Sequence, residues 1–166
     1  MVNESKIFFT LLEDNELYAM FLTEKLKENF NCHVTTNKTL KEFLGDTTFE
    51  SRTDIFIIDY SLPGGNGMEA IKALKTNKID SEIIVLSSQK DIQIAVDVLK
   101  AGACDYIVKN EEAIERLVGA IYKALKLQAL QKENFTLKIK FNKYRIFSSF
   151  IFFILVALIT IVMFAK

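Results

Sequence analysis

The chain has 166 residues, which leaves room for one domain of about 100 to 150 residues and an appendage. No second globular domain fits within these residues, so neither a winged or helix-turn-helix DNA-binding module nor a fused output enzyme is expected in them. The zero net charge hides a division: residues 1–110 carry 12 Lys and Arg against 17 Asp and Glu, while residues 111–166 carry 9 against 4, so an acidic body (−5) precedes a basic stem (+5).

In chain order, the first apolar run is IFFTLL, which stops at Glu13 and Asp14. A helical period follows through Leu17, Met20, Phe21 and Leu26, and then a weak strand from His33 to Thr35. Leu40, Phe43 and Leu44 are spaced for a second helix. DIFIID then ends on Asp59 and is followed by SLPGGNG, a loop of turn formers that holds the only proline, Pro63. Met68, Ile71 and Leu74 have helical spacing, EIIVLS ends on Ser87, Ile92, Ala95, Val96 and Leu99 are helical again, and YIV precedes Lys109. The last pattern, Ile114, Leu117, Val118, Ile121 and Leu125, suits a helix on the sheet. Short continuous runs of Ile, Val and Phe are what strands covered on both faces look like. Their strict alternation with helices predicts a parallel sheet wrapped by right-handed crossovers.

From Ala120 to Lys166 there is no Gly or Pro, so the last helix is expected to run on through a basic stem, 128–145. Its heptad spacing is too irregular for a coiled coil. Residues 146–165 carry no charge and include fourteen Ile, Leu, Phe or Val. At about 1.5 Å per residue they reach roughly 30 Å, one bilayer core. Insertion would gain about 4 to 8 kcal/mol as an upper bound. A transmembrane helix over 146–166 is therefore expected. A cleaved secretory signal would lie at the other end. Lys138, Lys140, Lys143 and Arg145 precede the span and only Lys166 follows it, which predicts that the body, residues 1–127, is cytoplasmic. The stem's charge is better explained by anionic lipid than by nucleic acid. Cys32 and Cys104 show no metal-binding spacing and are expected to be reduced, and His33 is expected to be structural.

Ligands of a parallel sheet sit beyond the carboxyl ends of its strands, where Glu13, Asp14, Asp59, Ser87 and Lys109 all fall. Each has a plainer use on its own: Asp14 or Asn15 as a helix cap, Asp59 closing a loop, Lys109 as a surface charge. Together they form a site. Two unit charges at 4 Å repel by about 4 kcal/mol at an effective dielectric of 20, so three carboxylates need a counter-charge. Lys109 supplies one, and the remaining formal −2 suits Mg2+, which keeps several waters and takes a phosphate ligand. Asp59, alone at the end of its strand, is the candidate nucleophile for a phosphoryl group. Asp14 and Glu13 would hold the metal, while Lys109 and the Ser87 hydroxyl would stabilise the transferred group.

Over Lys6 to Leu127 these residues resemble the receiver domain of bacterial two-component response regulators. The resemblance rests on the acidic pair, Asp59 with Pro63 and Gly67 four and eight positions on, the hydroxyl of Ser87, and DYIVK ending at Lys109. It implies a flavodoxin-like, doubly wound α/β fold with five parallel strands in the order 2-1-3-4-5. It also implies Mg2+-dependent transfer to Asp59 from the phosphohistidine of a sensor histidine kinase or phosphotransfer protein. The metal would be held by Glu13 through water, Asp14, Asp59 and the main-chain carbonyl of Ser61. Ser61 and Gln89 would influence hydrolysis. Phosphorylation would draw in Ser87 and turn Tyr106 inward, remodelling the face of the fourth helix, fifth strand and fifth helix.

Three positions depart from the family pattern. Ser87 replaces threonine and loses a methyl that restricts rotamers, Glu13 is one methylene longer than aspartate, and Asn110 replaces a proline whose peptide bond is typically cis. None removes a reacting group, and a competent phosphoacceptor is expected. The expected output is a module at the bacterial inner membrane that regulates a membrane partner or pairs with a second copy. A phosphotransfer relay or phosphate sink is the alternative. A haloacid-dehalogenase-like phosphatase is more remote, because it would need an acid where Ser61 stands.

Overall fold

The computed structural model describes residues 6–45, 53–79 and 81–164, with 149–164 as helical backbone only. The elements are β1 (Ile7–Leu12), α1 (Glu16–Asn29), β2 (Cys32–Asn37), α2 (Leu40–Gly45), β3 (Ile55–Asp59), β4 (Ser61–Leu62), β5 (Gly65–Asn66), α3 (Gly67–Thr76), β6 (Glu82–Ser87), α4 (Ile92–Lys100), β7 (Asp105–Val108) and α5 (Ala113–Phe164). Five strands make one parallel sheet in the order β2-β1-β3-β6-β7, as the resemblance implied. Neighbours β3 and β6 are apolar because both of their faces are covered. Ile55, Phe56, Ile57 and Ile58 are each at most 1% exposed, and burying such a side chain contributes about 1.5 to 3 kcal/mol.

The two edge strands are different. β2 (CHVTTN) is polar and half open, and it runs further than the short stretch its sequence suggested because all six residues pair with β1. β7 has only four residues.

The helices form where the apolar spacing placed them, but the spacing misjudged which side packs. In α1 the buried residues are Ala19, Leu22 and Leu26, whereas Leu17 is 80% and Met20 61% exposed. Two apolar stripes run along this helix, and small Ala19 lets the other one approach the sheet. Likewise Val98 is the buried residue of α4, while Ile92, Leu99 and, in α2, Leu44 are exposed.

The segment after Asp59 is a β-hairpin rather than a plain loop. Leu62 pairs with Gly65, and Pro63 and Gly64 form the bend. Gly64 has φ +77°, the conformation a type II turn requires after proline. Both thiols are free. Although Cys104 is exposed as a residue, burial of its thiol and then the charges of Glu82 and Asp105 push its pKa up to about 12, so it is a poor nucleophile.

Two compact units result, Met1–Ala124 and Leu125–Lys166. In the first, α5 buries Ala113, Leu117, Ala120, Ile121 and Ala124, spaced as one helical face. In the second, Leu127, Leu130, Phe135, Leu137, Ile139, Phe141 and Tyr144 are exposed. Among the described residues no helix is long and apolar enough to cross a membrane. The span expected over 146–165 lies, from 149 on, outside the residues whose side chains are described.

Candidate functional site

Parallel register brings the ends of β1, β3, β6 and β7 to one rim. Glu13 and Asp14 follow β1, Asp59 and Ser87 end β3 and β6, and Lys109 follows β7. Oxygens of Glu13, Asp14 and Asp59 lie within 4.8 Å of one another. Glu13 and Asp59 are buried and Asp14 is exposed. Asn15, not Asp14, caps α1 by accepting from Tyr18 N–H at 3.1 Å, so Asp14 is spared for the acidic cluster.

Lys109 Nζ donates to Glu13 Oε2 at 2.7 Å and to Asp59 Oδ2 at 2.6 Å. Burial acts to depress its ammonium, but the hydrogen bonds and charges of Asp59 and Glu13 outweigh that and hold its pKa above the usual lysine value. Glu13 moves up as well. Its burial, helped by the charge of Asp59, exceeds what Lys109 returns. Both values rise, which favours the charged form of Lys109 but disfavours that of Glu13. The upward shift of Glu13 is the informative one: a single ammonium leaves this cluster short of positive charge. The donors are all oxygen, the net formal charge is −2 and one carboxylate is open to solvent, which fits a hard divalent cation such as magnesium. Receiver domains use Mg2+ at such an acidic pocket.

The remaining oxygens of the two buried carboxylates are held by backbone. Ser61 N–H donates to Asp59 Oδ1 at 3.1 Å, and Asn15 N–H donates to Glu13 Oε1 at 3.3 Å. Beside them opens a cavity of about 490 Å³ lined by Asp14, Ser61, Pro63, Asn66 and Gln89 among others. Gln89 Nε2 donates to Ser61 Oγ at 3.3 Å across this cavity. Ser87 is fully buried, and its Oγ accepts from Gln89 N–H at 3.0 Å. Tyr106 already points inward, with its hydroxyl donating to the Gln89 carbonyl at 2.9 Å. Among the described residues there is no cis peptide, so the Lys109–Asn110 bond is trans.

Two residues matter more than their sequence positions suggested. The Tyr18 ring lies under Lys109, with Nζ 4.5 Å from its centroid. Burial first, and the nearby carboxylates after it, raise the Tyr18 pKa despite Lys109, so its phenol is neutral. The only sequence signal was its place three residues after the cap, on the same helical side. Gly67 is the other. A Cβ there would lie 2.8 Å from the Asp59 carbonyl oxygen and 3.0 Å from Tyr60 Cα. Gly67→Ala should therefore push the start of α3 off the strand end that carries Asp59. We expect a loss of about 1 to 3 kcal/mol in urea unfolding, the usual cost of overpacking, together with slower chemistry at Asp59; unchanged stability would show that the backbone yields freely.

The profile of the response regulator receiver domain matches residues 9–122. The chain is 30% identical over 134 residues to the response regulator protein TodT of Pseudomonas putida, covering 81% of this chain and 57% of that one. It is 32% identical over 112 residues to the protein-glutamate methylesterase/protein-glutamine glutaminase of Clostridium acetobutylicum, covering 66% and 32%. It thus spans between about a third and somewhat over half of these relatives' length. Among solved structures, the beryllofluoride-activated NtrC4 receiver domain dimer aligns with a TM-score of 0.64 at 28% identity, covering 72% of this chain and 96% of that one. The Francisella response regulator 1452 receiver domain aligns with a TM-score of 0.66 at 24% identity, covering 74% and 99%, a likeness of fold.

Proposed function

Since this chain belongs to the response regulator receiver domain family, we propose that it takes a phosphoryl group onto Asp59 from a phosphohistidine of a sensor kinase or phosphotransfer protein. The observation that carries this reading is the convergence at the strand ends of Glu13, Asp14 and Asp59, with carboxylate oxygens within 4.8 Å of one another, and of Lys109, which donates to both Glu13 and Asp59. An Asp59 oxygen forms the new P–O bond as the P–N bond to the histidine breaks, and the electron pair leaves with the imidazole. Asp14, Asp59, the Ser61 carbonyl and, through water, Glu13 would hold magnesium, which would supply charge neutralisation for the transferring group. Lys109 gives up its bond to Asp59 and takes a phosphoryl oxygen instead. The Ser87 hydroxyl, whose proton is not used by its bond to Gln89 N–H, donates to another.

The test is to incubate the full chain with magnesium and a small acyl phosphate and measure intact mass. We expect the gain of one phosphoryl group, abolished by chelation; no gain at any donor concentration would overturn the reading. Gln89 is bonded to Ser61, whose N–H holds Asp59, so Gln89→Ala should change the decay rate of the phosphorylated form, by about threefold or more if water is admitted. A rate equal to wild type would remove Gln89 from hydrolysis control.

The output reading is a switch at the α4, β7 and α5 face. A cavity of about 340 Å³ there is lined by Ile92, Ala95, Tyr106 and Arg116, among others, and exposed Ile92 beside it suits a protein partner or a second copy. The NtrC4 relative is described as a receiver domain dimer. A relay or sink, in which turnover of the phosphoryl group is itself the function, predicts no change of size or partner on phosphorylation. Membrane attachment through 146–165, with the body on the cytoplasmic side, is supported by the uncharged run and the basic residues before it. The full chain should sediment with membranes and a chain cut after Arg145 should not; full-length protein in the soluble fraction would end this part of the reading.

A further inference from the structure

The Lys109 ammonium is held on two kinds of surface at once. Two carboxylates take it at 2.7 and 2.6 Å, and the Tyr18 ring lies 4.5 Å away. That is within the roughly 6 Å over which a cation is drawn to an aromatic face. The backbone and the ring of Tyr18 each have a local contact. Tyr18 N–H is bonded to the Asn15 cap, and the ring packs against Phe21 at a centroid distance of 6.0 Å.

This arrangement bears on a difficulty in the proposed chemistry, on which the inference rests. Lys109 must leave Asp59 for Asp59 to react, yet it must stay within reach of the incoming oxygens. A lysine stem is long and flexible, and an ammonium freed from one partner is readily lost to water. An aromatic face keeps its attraction for the cation while the oxygen partners are exchanged, because it neither donates nor accepts a proton in the step.

We propose that Tyr18 is a positioning residue, whose ring face holds the Lys109 ammonium over the acidic cluster while it trades the Asp59 oxygen for a phosphoryl oxygen. The role belongs to the ring and not to the hydroxyl, for which no hydrogen bond is seen among the described residues. Phenylalanine should therefore serve and an aliphatic side chain should not.

The experiment compares wild type, Tyr18→Phe and Tyr18→Leu as full chains. With magnesium and a small phosphodonor over a concentration series, Tyr18→Leu should lower the maximum phosphorylation rate by about three- to thirtyfold, the span of cation–π strengths, with the half-saturating donor concentration little changed. Tyr18→Phe should restore the rate. In the magnesium-free protein the Lys109 Hε proton resonances should carry an upfield ring-current shift in wild type and in Tyr18→Phe, and lose it in Tyr18→Leu. A Tyr18→Leu rate equal to wild type, or a phenylalanine variant as slow as the leucine one, would overturn the proposal. So would the absence of the ring-current shift in wild type. A wild-type chain that takes up no phosphoryl group would instead bring down the reading of the site itself, and the positioning role with it, even if the resonance shift showed ring and ammonium in contact.

Discussion

Asp59→Asn should take up no phosphoryl group from any donor and should remain folded. The amide lacks the anionic oxygen that attacks phosphorus, so the rate is expected to fall by roughly a thousandfold or more, in line with the removal of a nucleophile. The fold should survive because, although the bond from Lys109 to position 59 is lost, Lys109 keeps Glu13 as its partner. An amide oxygen can still accept from Ser61 N–H, and the change removes one of three mutually repelling carboxylates. Intact mass after incubation, read beside a circular dichroism spectrum of the same sample, separates lost chemistry from lost structure. A mass gain in the variant would place the acceptor elsewhere.

Lys109→Ala should produce the largest change in stability, and it should be conditional on magnesium. Without the metal, removing Lys109 leaves Glu13 and Asp59 buried, close together and without their ammonium. Breaking a buried ion pair from one side costs about 3 to 5 kcal/mol. A divalent cation that binds only the folded state returns about 2.7 kcal/mol at a concentration one hundred times its dissociation constant. Urea unfolding with chelator and with saturating magnesium should therefore show a wide gap to wild type that narrows when the metal is added. Equal stability of the two proteins in chelator would mean that Lys109 is not the counter-ion of this cluster.

Much of the site was legible because its chemistry is written at the ends of apolar runs. Asp59 and Ser87 interrupt strands whose preceding residues are almost all buried, so the change from Ile to a polar side chain marks the rim. What spacing alone could not show was which of two apolar stripes on α1 would pack. Leu17 and Met20 have the right period, but Ala19 and Leu22 took the sheet side. The choice depends on the height of the neighbouring surface, which a one-dimensional pattern does not contain. Tyr18 was missed for the same reason, since its partner is ninety-one positions away, on the far side of the chain's crossovers. SLPGGNG reads as a loop because seven residues, five of them Gly, Pro or Asn, are too few to show strand periodicity. Its hairpin follows from Pro63 and Gly64 fixing the bend and Gly67 fitting tightly under Asp59.

The two outer strands have a bearing on assembly. An unpaired strand margin is a template on which another chain can add itself, and long, flat, apolar margins invite aggregation. Here one margin is lined with histidine, threonine and asparagine, and the other is cut off after four residues. Neither offers a good seam for extending the sheet. Any copy or partner recruited by the signal is thus steered toward the helical sides of the body, where an association can form and be undone without stitching two backbones together.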